Sequence, residues 1–115
     1  MPEIVILYTT WPDAETAEQL AAEAVAERLA ACANILQPME AIYRWQGAVE
    51  RAGEIPMLLK TTRAAVPALT RLIEQRHPYD TPCILAFAPD AALCAPAFLA
   101  WVEHEVAAPE AEATG

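Results

Sequence analysis

Ile4-Val5-Ile6-Leu7-Tyr8 is an unbroken apolar run closed by Thr9-Thr10. A short run with no polar alternation predicts a central strand covered on both faces. The period then changes. Pro12-Asp13 opens a helix, with Asp13 as its N-cap and Glu15 in the first turn, where the helix dipole favours a carboxylate. Ala17, Leu20, Ala21, Ala24, Val25, Leu29 and Cys32 keep the spacing of a helix stripe, which predicts a helix running to about residue 31 or 32. Ala33-Asn34-Ile35-Leu36 resumes strand character, Pro38 interrupts pairing or marks a bulge, and 41–46 continues extended to a turn at Gly47. The segment 55–62 is again apolar throughout, a second central strand with Pro56 near its start. Val66, Leu69, Leu72 and Ile73 make the stripe of a second helix, with Pro67 in its first turn and Arg76-His77-Pro78 ending it. A fourth strand over 82–88 and a last helix over 97–106, with Phe98, Trp101 and Val102 on its apolar side, complete the pattern.

The order is strand, helix, strand, strand, helix, strand, helix. It describes two split βαβ units: an α+β, ferredoxin-like sandwich with a long hairpin between its second and third strands and an extra C-terminal helix. In that plan the first and third strands are central, and those are the two strands that are apolar on both faces. Residues 1–106 form one domain, and 107–115 is a short acidic tail expected to fray.

Ile42-Tyr43-Arg44-Trp45-Gln46-Gly47 stands out within this plan. Successive strand side chains point to opposite faces, so Tyr43 and Trp45 share one face while Ile42, Arg44 and Gln46 share the other. With the polar segment 48–54 behind it, such an arm cannot bury both faces inside a domain of this size. Its destination is a subunit interface or a ligand cleft.

At 115 residues and 56% hydrophobic, the chain can build one core without metal or disulfide staples. A formal charge of −9 and the lack of a basic run exclude a nucleic-acid binder. No apolar stretch approaches the roughly 18 to 20 residues of a spanning helix. Met1-Pro2-Glu3 lacks the basic start of a signal peptide, which points to the cytoplasm, with Cys32, Cys83 and Cys94 as reduced thiols. Neither a Gly-x-Ser-x-Gly nor a His-Glu-x-x-His motif is present, so no enzyme is expected.

Several segments together resemble the CutA divalent-cation tolerance family. They are Thr9-Thr10 with Pro12-Asp13 and Glu15-Thr16-Ala17, then Arg28-Leu29-Ala30-Ala31-Cys32-Ala33-Asn34-Ile35, Ile42-Tyr43-Arg44-Trp45-Gln46-Gly47, Leu59-Lys60-Thr61-Thr62 and His77-Pro78-Tyr79-Asp80-Thr81-Pro82. The resemblance spans roughly residues 4–104 in the family's order. It implies a ferredoxin-like subunit that assembles as a homotrimer through its hairpin, a likeness to trimeric nitrogen-regulatory signalling proteins, and an association with tolerance to copper and other divalent metals. It supplies no reaction. Under it, Tyr43 and Trp45 become trimer-interface residues. Arg44 and Lys60 either face the clefts between subunits, lined also by Tyr79 and Cys32, where a small anion could bind, or pair with Glu50 or Glu54.

The family's copper reading relies on a cysteine ending the first strand and on paired histidines before the Pro-Tyr step. Here those positions resemble Thr9 and Arg76-His77, so only His77 carries over. Cys83 stands where an acidic residue usually follows the second proline, which makes His77 with Cys83 the metal pairing to test, for copper or another divalent ion bound weakly. Each residue has a plainer role. Cys32 closes a helix stripe as a small hydrophobe, His77 suits a helix C-terminus, and Asp13 is a cap. His104 belongs on the surface and Cys94 under a loop. Trp11, a bulky residue before Pro12, receives no role.

Overall fold

The computed structural model describes residues 3–107. The tail therefore lies outside the described residues except for Ala107. Strand β1 (Ile4–Trp11) is followed by helix α1 (Ala14–Ala26), β2 (Cys32–Ile35), β3 (Met39–Trp45), β4 (Ala48–Thr62), α2 (Val66–Arg76), β5 (Ile84–Phe87) and α3 (Pro96–Glu105). The sheet is antiparallel with order β2-β4-β1-β5, and β3 pairs with the outer half of β4. The two continuous apolar runs are thus the central strands, as the ferredoxin-like plan requires.

Alternation assigns the two faces. Val5, Leu7, Thr9 and Trp11 of β1 stand opposite Thr61, Leu59, Met57 and Ile55 of β4. This set is buried with Ala17, Leu20, Ala21 and Ala24 of α1 and Leu69, Leu72 and Ile73 of α2. The core sits between the sheet and these two helices. Burial of aliphatic side chains at about 25 cal/mol per Å² is the main force holding the layers together. On the second face, Ile6 and Tyr8 stand opposite Lys60 and Leu58, and beyond them opposite Phe87 and Leu85 of β5. Helix α3 covers only part of this face, through Val102 and Val106 packed with Ile4.

Several boundaries differ from the sequence expectation, each for a physical reason. β1 continues to Trp11 because Thr9, Thr10 and Trp11 pair with Met57, Pro56 and Ile55. α1 ends at Ala26, well before 31 or 32. The turn after it is a Schellman closure: Leu29 N–H bonds to Ala24 C=O at 2.9 Å and Arg28 N–H to Val25 C=O at 3.0 Å. The left-handed position, usually glycine, is Arg28 with φ 61°. Its guanidinium donates to the carbonyl oxygens of Glu105 (Nε, 2.9 Å) and His104 (Nη2, 2.7 Å), capping α3 across the fold. Its own carbonyl accepts from Ala107 N–H at 2.8 Å.

β4 begins at Ala48 and not near residue 55, because the polar segment 48–54 is the return arm of the hairpin. Gln46 (φ 50°) and Gly47 (φ 83°) make the two-residue turn, both left-handed as a primed hairpin turn demands. Where β2 passes into β3, three residues (36–38) face two of β4, since Ile35 pairs Met57 while Met39 pairs Glu54. Leu36 N–H still reaches Pro56 C=O at 2.9 Å. This is a bulge at the proline expected to mark one.

Candidate functional site

The end of β1 meets the start of the loop after α2 in a buried polar and aromatic cluster. His77 is the C-cap of α2, its N–H bonded to Ile73 C=O, as its place before Pro78 implies. The residue is 7% exposed, and its ring lies between Trp11, at 4.5 Å between centroids, and Tyr79, at 4.8 Å. Nδ1 accepts the Tyr79 N–H at 3.2 Å, and Nε2 is 2.8 Å from the Thr10 carbonyl oxygen. Trp11 is fully buried and donates from Nε1 to Thr9 Oγ1 at 2.8 Å, while that hydroxyl donates to Met57 C=O at 3.0 Å. Trp11, without a role in the sequence, is therefore the floor under His77. The signal was present in the period-two spacing of Val5, Leu7, Thr9 and Trp11, which puts the indole on the core face.

Cys83 immediately precedes β5, beside Thr10. Burial pushes its thiol above the usual value; a hydrogen bond with Thr10 pulls it down, and the charge of Glu54 pushes it up again. The phenol of Tyr8 is raised by burial, then by Cys83 and Glu54. Tyr79 is raised by burial, then by Glu54, Tyr43 and Asp13. All three are held in their protonated forms at neutral pH. Among the described residues no three His, Cys, Asp or Glu side chains converge as metal ligands. The expected pairing of His77 with Cys83 meets an imidazole with both nitrogens engaged and a thiol that burial keeps protonated.

The other sequence-selected residues separate into two groups. Lys60 pairs with neither Glu50 nor Glu54; its Nζ donates to Asn34 Oδ1 at 2.8 Å and lies 5.6 Å from the centre of the Phe98 ring. The register explains the difference, since Glu50 stands opposite Tyr43 and Glu54 opposite Met39. The ribbon's ion pair is Arg51 with Glu40 at 3.1 Å, diagonal neighbours on one face. Arg44 is exposed opposite Val49. Cys32 is half-buried opposite Lys60, and not enclosed as a helix-stripe residue would be. His104 is exposed, and Cys94 Sγ donates to Asp90 C=O at 3.3 Å.

Tyr43 and Trp45 are 42% and 56% exposed, on the face of β4 that also carries Glu50, Glu54, Leu58 and Lys60. That face continues onto the uncovered side of the sheet, where Leu85 and Phe87 are 53% and 56% exposed. Sequence reasoning missed Leu85 and Phe87, because a short apolar strand does not say which of its faces is covered.

This geometry belongs to a recognisable group. The CutA1 divalent ion tolerance protein family model matches residues 5–105. The chain belongs to that family. A curated relative from Citrobacter koseri, the divalent-cation tolerance protein CutA, is 44% identical over 85 residues, 74% of each chain. The divalent cation tolerance protein Cut A1 of Thermus thermophilus superposes with a TM-score of 0.83 at 39% identity, covering 93% of this chain and all of the other. A CutA structure from Archaeoglobus fulgidus gives 0.84 at 33% identity, covering 90% and 99%. That last relative is described as periplasmic, which overturns the cytoplasmic placement expected from the N-terminus and the thiols. In this CutA1-family chain the three cysteines are free, half-buried thiols.

Proposed function

We propose that this CutA1-family protein serves divalent-cation tolerance as a homotrimer that binds metal weakly and carries out no reaction. The observation that carries the reading is the uncovered apolar side of the sheet. Leu85 and Phe87 continue with Tyr8 and Leu58 toward the aromatic ribbon, Tyr43 and Trp45, on one side of the sheet. A patch of that kind on a chain with charge −9 is a self-association surface rather than a free exterior. The β3–β4 ribbon supports the three-fold form that the resemblance implies. Its seven paired positions reach about 24 Å from the body, long enough to lie over a neighbouring subunit.

Weak metal binding is supported by the side chains themselves. The Thr9 hydroxyl is committed to Trp11 and Met57, and Cys83 is protonated at neutral pH, so neither is a ready ligand or nucleophile. Ligands for a divalent ion would come from more than one subunit, drawn to a strongly acidic assembly. Light scattering on the purified protein should give three chain masses at micromolar concentration. Calorimetric titration with Cu(II) and Zn(II) should give micromolar or weaker binding that added salt diminishes. A monomer mass, or nanomolar binding by the single chain, would refute the proposal.

A further inference from the structure

The residues around His77 do not fit a divalent metal, and the way they fail to fit assigns the imidazole another task. A backbone N–H can only donate, so the 3.2 Å contact from Tyr79 N to Nδ1 leaves Nδ1 without a proton. The Thr10 carbonyl can only accept, so Nε2, at 2.8 Å, carries the hydrogen. Both nitrogens are spent in one neutral tautomer, and the ring is enclosed by Trp11 and Tyr79. A metal at either nitrogen would displace one of these bonds and strand a buried backbone group. The neighbours offer no compensation. Thr9, where the resemblance would put a thiolate, holds Trp11 Nε1 at 2.8 Å. Arg76, where it would put a second imidazole, is turned away by Glu23, which takes Nε at 2.9 Å and Nη2 at 2.8 Å.

We infer that His77 is a neutral latch closed to metal, and a positioning residue that ties the loop 78–83 to the end of β1. Through it, half-exposed Tyr79 and the Cys83 thiol are fixed at the rim of the uncovered sheet face. The latch consists of contacts within one chain, so it stands or falls separately from the trimer.

The test is nitrogen-15 NMR of the two imidazoles in the full chain, titrated with Zn(II) and with Cu(I), both diamagnetic. The expected result is a His77 ring with its proton on Nε2, unmoved through two equivalents of either ion, while exposed His104 serves as the reference for an accessible ring. Movement of the His77 nitrogens at one equivalent, or loss of the Nε2 proton, overturns the inference. His77→Gln, which keeps a side-chain N–H for the Thr10 carbonyl, should bind Zn(II) within twofold of wild type. A tenfold loss of affinity in that variant would place His77 back among the ligands. Assembly is read separately by light scattering, so the two claims fail independently.

Discussion

The guanidinium of Arg28 lies 2.7 Å from the carbonyl oxygen of His104, joining the left-handed turn after the first helix to the last turn of the third. The residue meets opposing demands. Its φ of 61° costs about 1 kcal/mol for a side chain with a Cβ, while its two donated hydrogen bonds satisfy carbonyls that a helix C-terminus leaves open.

Arg28→Ala should keep the backbone cost and lose both bonds, lowering stability by about 1 kcal/mol. Arg28→Gly should lose the bonds and relieve the backbone, landing near wild type. Urea unfolding of the two variants checks this, and an alanine variant as stable as wild type would show that the clamp contributes nothing.

Gly47 isolates a backbone effect. Its φ is 83° and a Cβ there would meet nothing within 4 Å, so only conformational strain opposes a side chain. Gly47→Ala should destabilise by about 1 kcal/mol without altering the melting slope, and Gln46→Asn should stabilise slightly, since asparagine tolerates the first position of this turn better. Denaturant midpoints report both.

Trp45→Ala and Phe87→Ser test the proposed assembly face at opposite ends. Each should weaken subunit association by about 2 kcal/mol, seen as dissociation on dilution in light scattering. A trimer unchanged in both variants would mean that this face is not the interface.

The cysteines should form no bridge within the chain, whatever the compartment. Cys32 and Cys83 sit at opposite edges of the order β2-β4-β1-β5. Three strand spacings separate them, about 14 Å, against the roughly 7 Å limit between bridged Cα atoms. The third thiol, Cys94, donates to Asp90 C=O. Thiol counting on monomeric chain unfolded without reductant should find three groups; a count of one would contradict the geometry.

Acid should weaken the first helix through Asp13. Its carboxyl is held below the usual value by the Thr16 N–H and then by the Thr16 hydroxyl. A depressed carboxyl contributes stability that is complete above its unfolded value, near 4, and is lost as pH falls through its folded value. Asp13→Asn keeps a capping oxygen at every pH. The stability difference between wild type and variant should therefore shrink or reverse below pH 4 in pH-dependent urea melts, and a difference constant from pH 7 to pH 3 would remove Asp13 from the acid response.

The parts of the fold that composition and period determine were readable in advance. A run such as Ile4 to Tyr8 has no polar face to turn to water, so its central position follows from burial alone. The end of α1 was not readable, because Leu29 and Cys32 still fit the apolar stripe while the stop is imposed by Arg28, a residue held left-handed by partners 76 and 77 positions away. The half of β4 from Ala48 to Glu54 is polar because it leaves the body of the domain, and single-strand polarity cannot distinguish a projecting ribbon from a loop. Of the candidate site, the place of His77 at a helix end was legible from Pro78. Its neutral, enclosed state was not, since Trp11 and Tyr79 come from segments that meet only after folding.

The surplus residue between β2 and β3 reconciles two registers on β4. Before the bulge the even-numbered residues Cys32 and Asn34 lie on the open side, opposite Lys60 and Leu58; after it the odd-numbered Met39, Tyr43 and Trp45 do. With one residue fewer over 36–38 the two registers would coincide: Met39 would still stand opposite Glu54 and Tyr43 opposite Glu50, since the turn at Gln46-Gly47 fixes that pairing. The aromatic surface of the ribbon is thus written in the turn, and the extra residue adds bend and twist to the edge without changing which chemistry that surface carries.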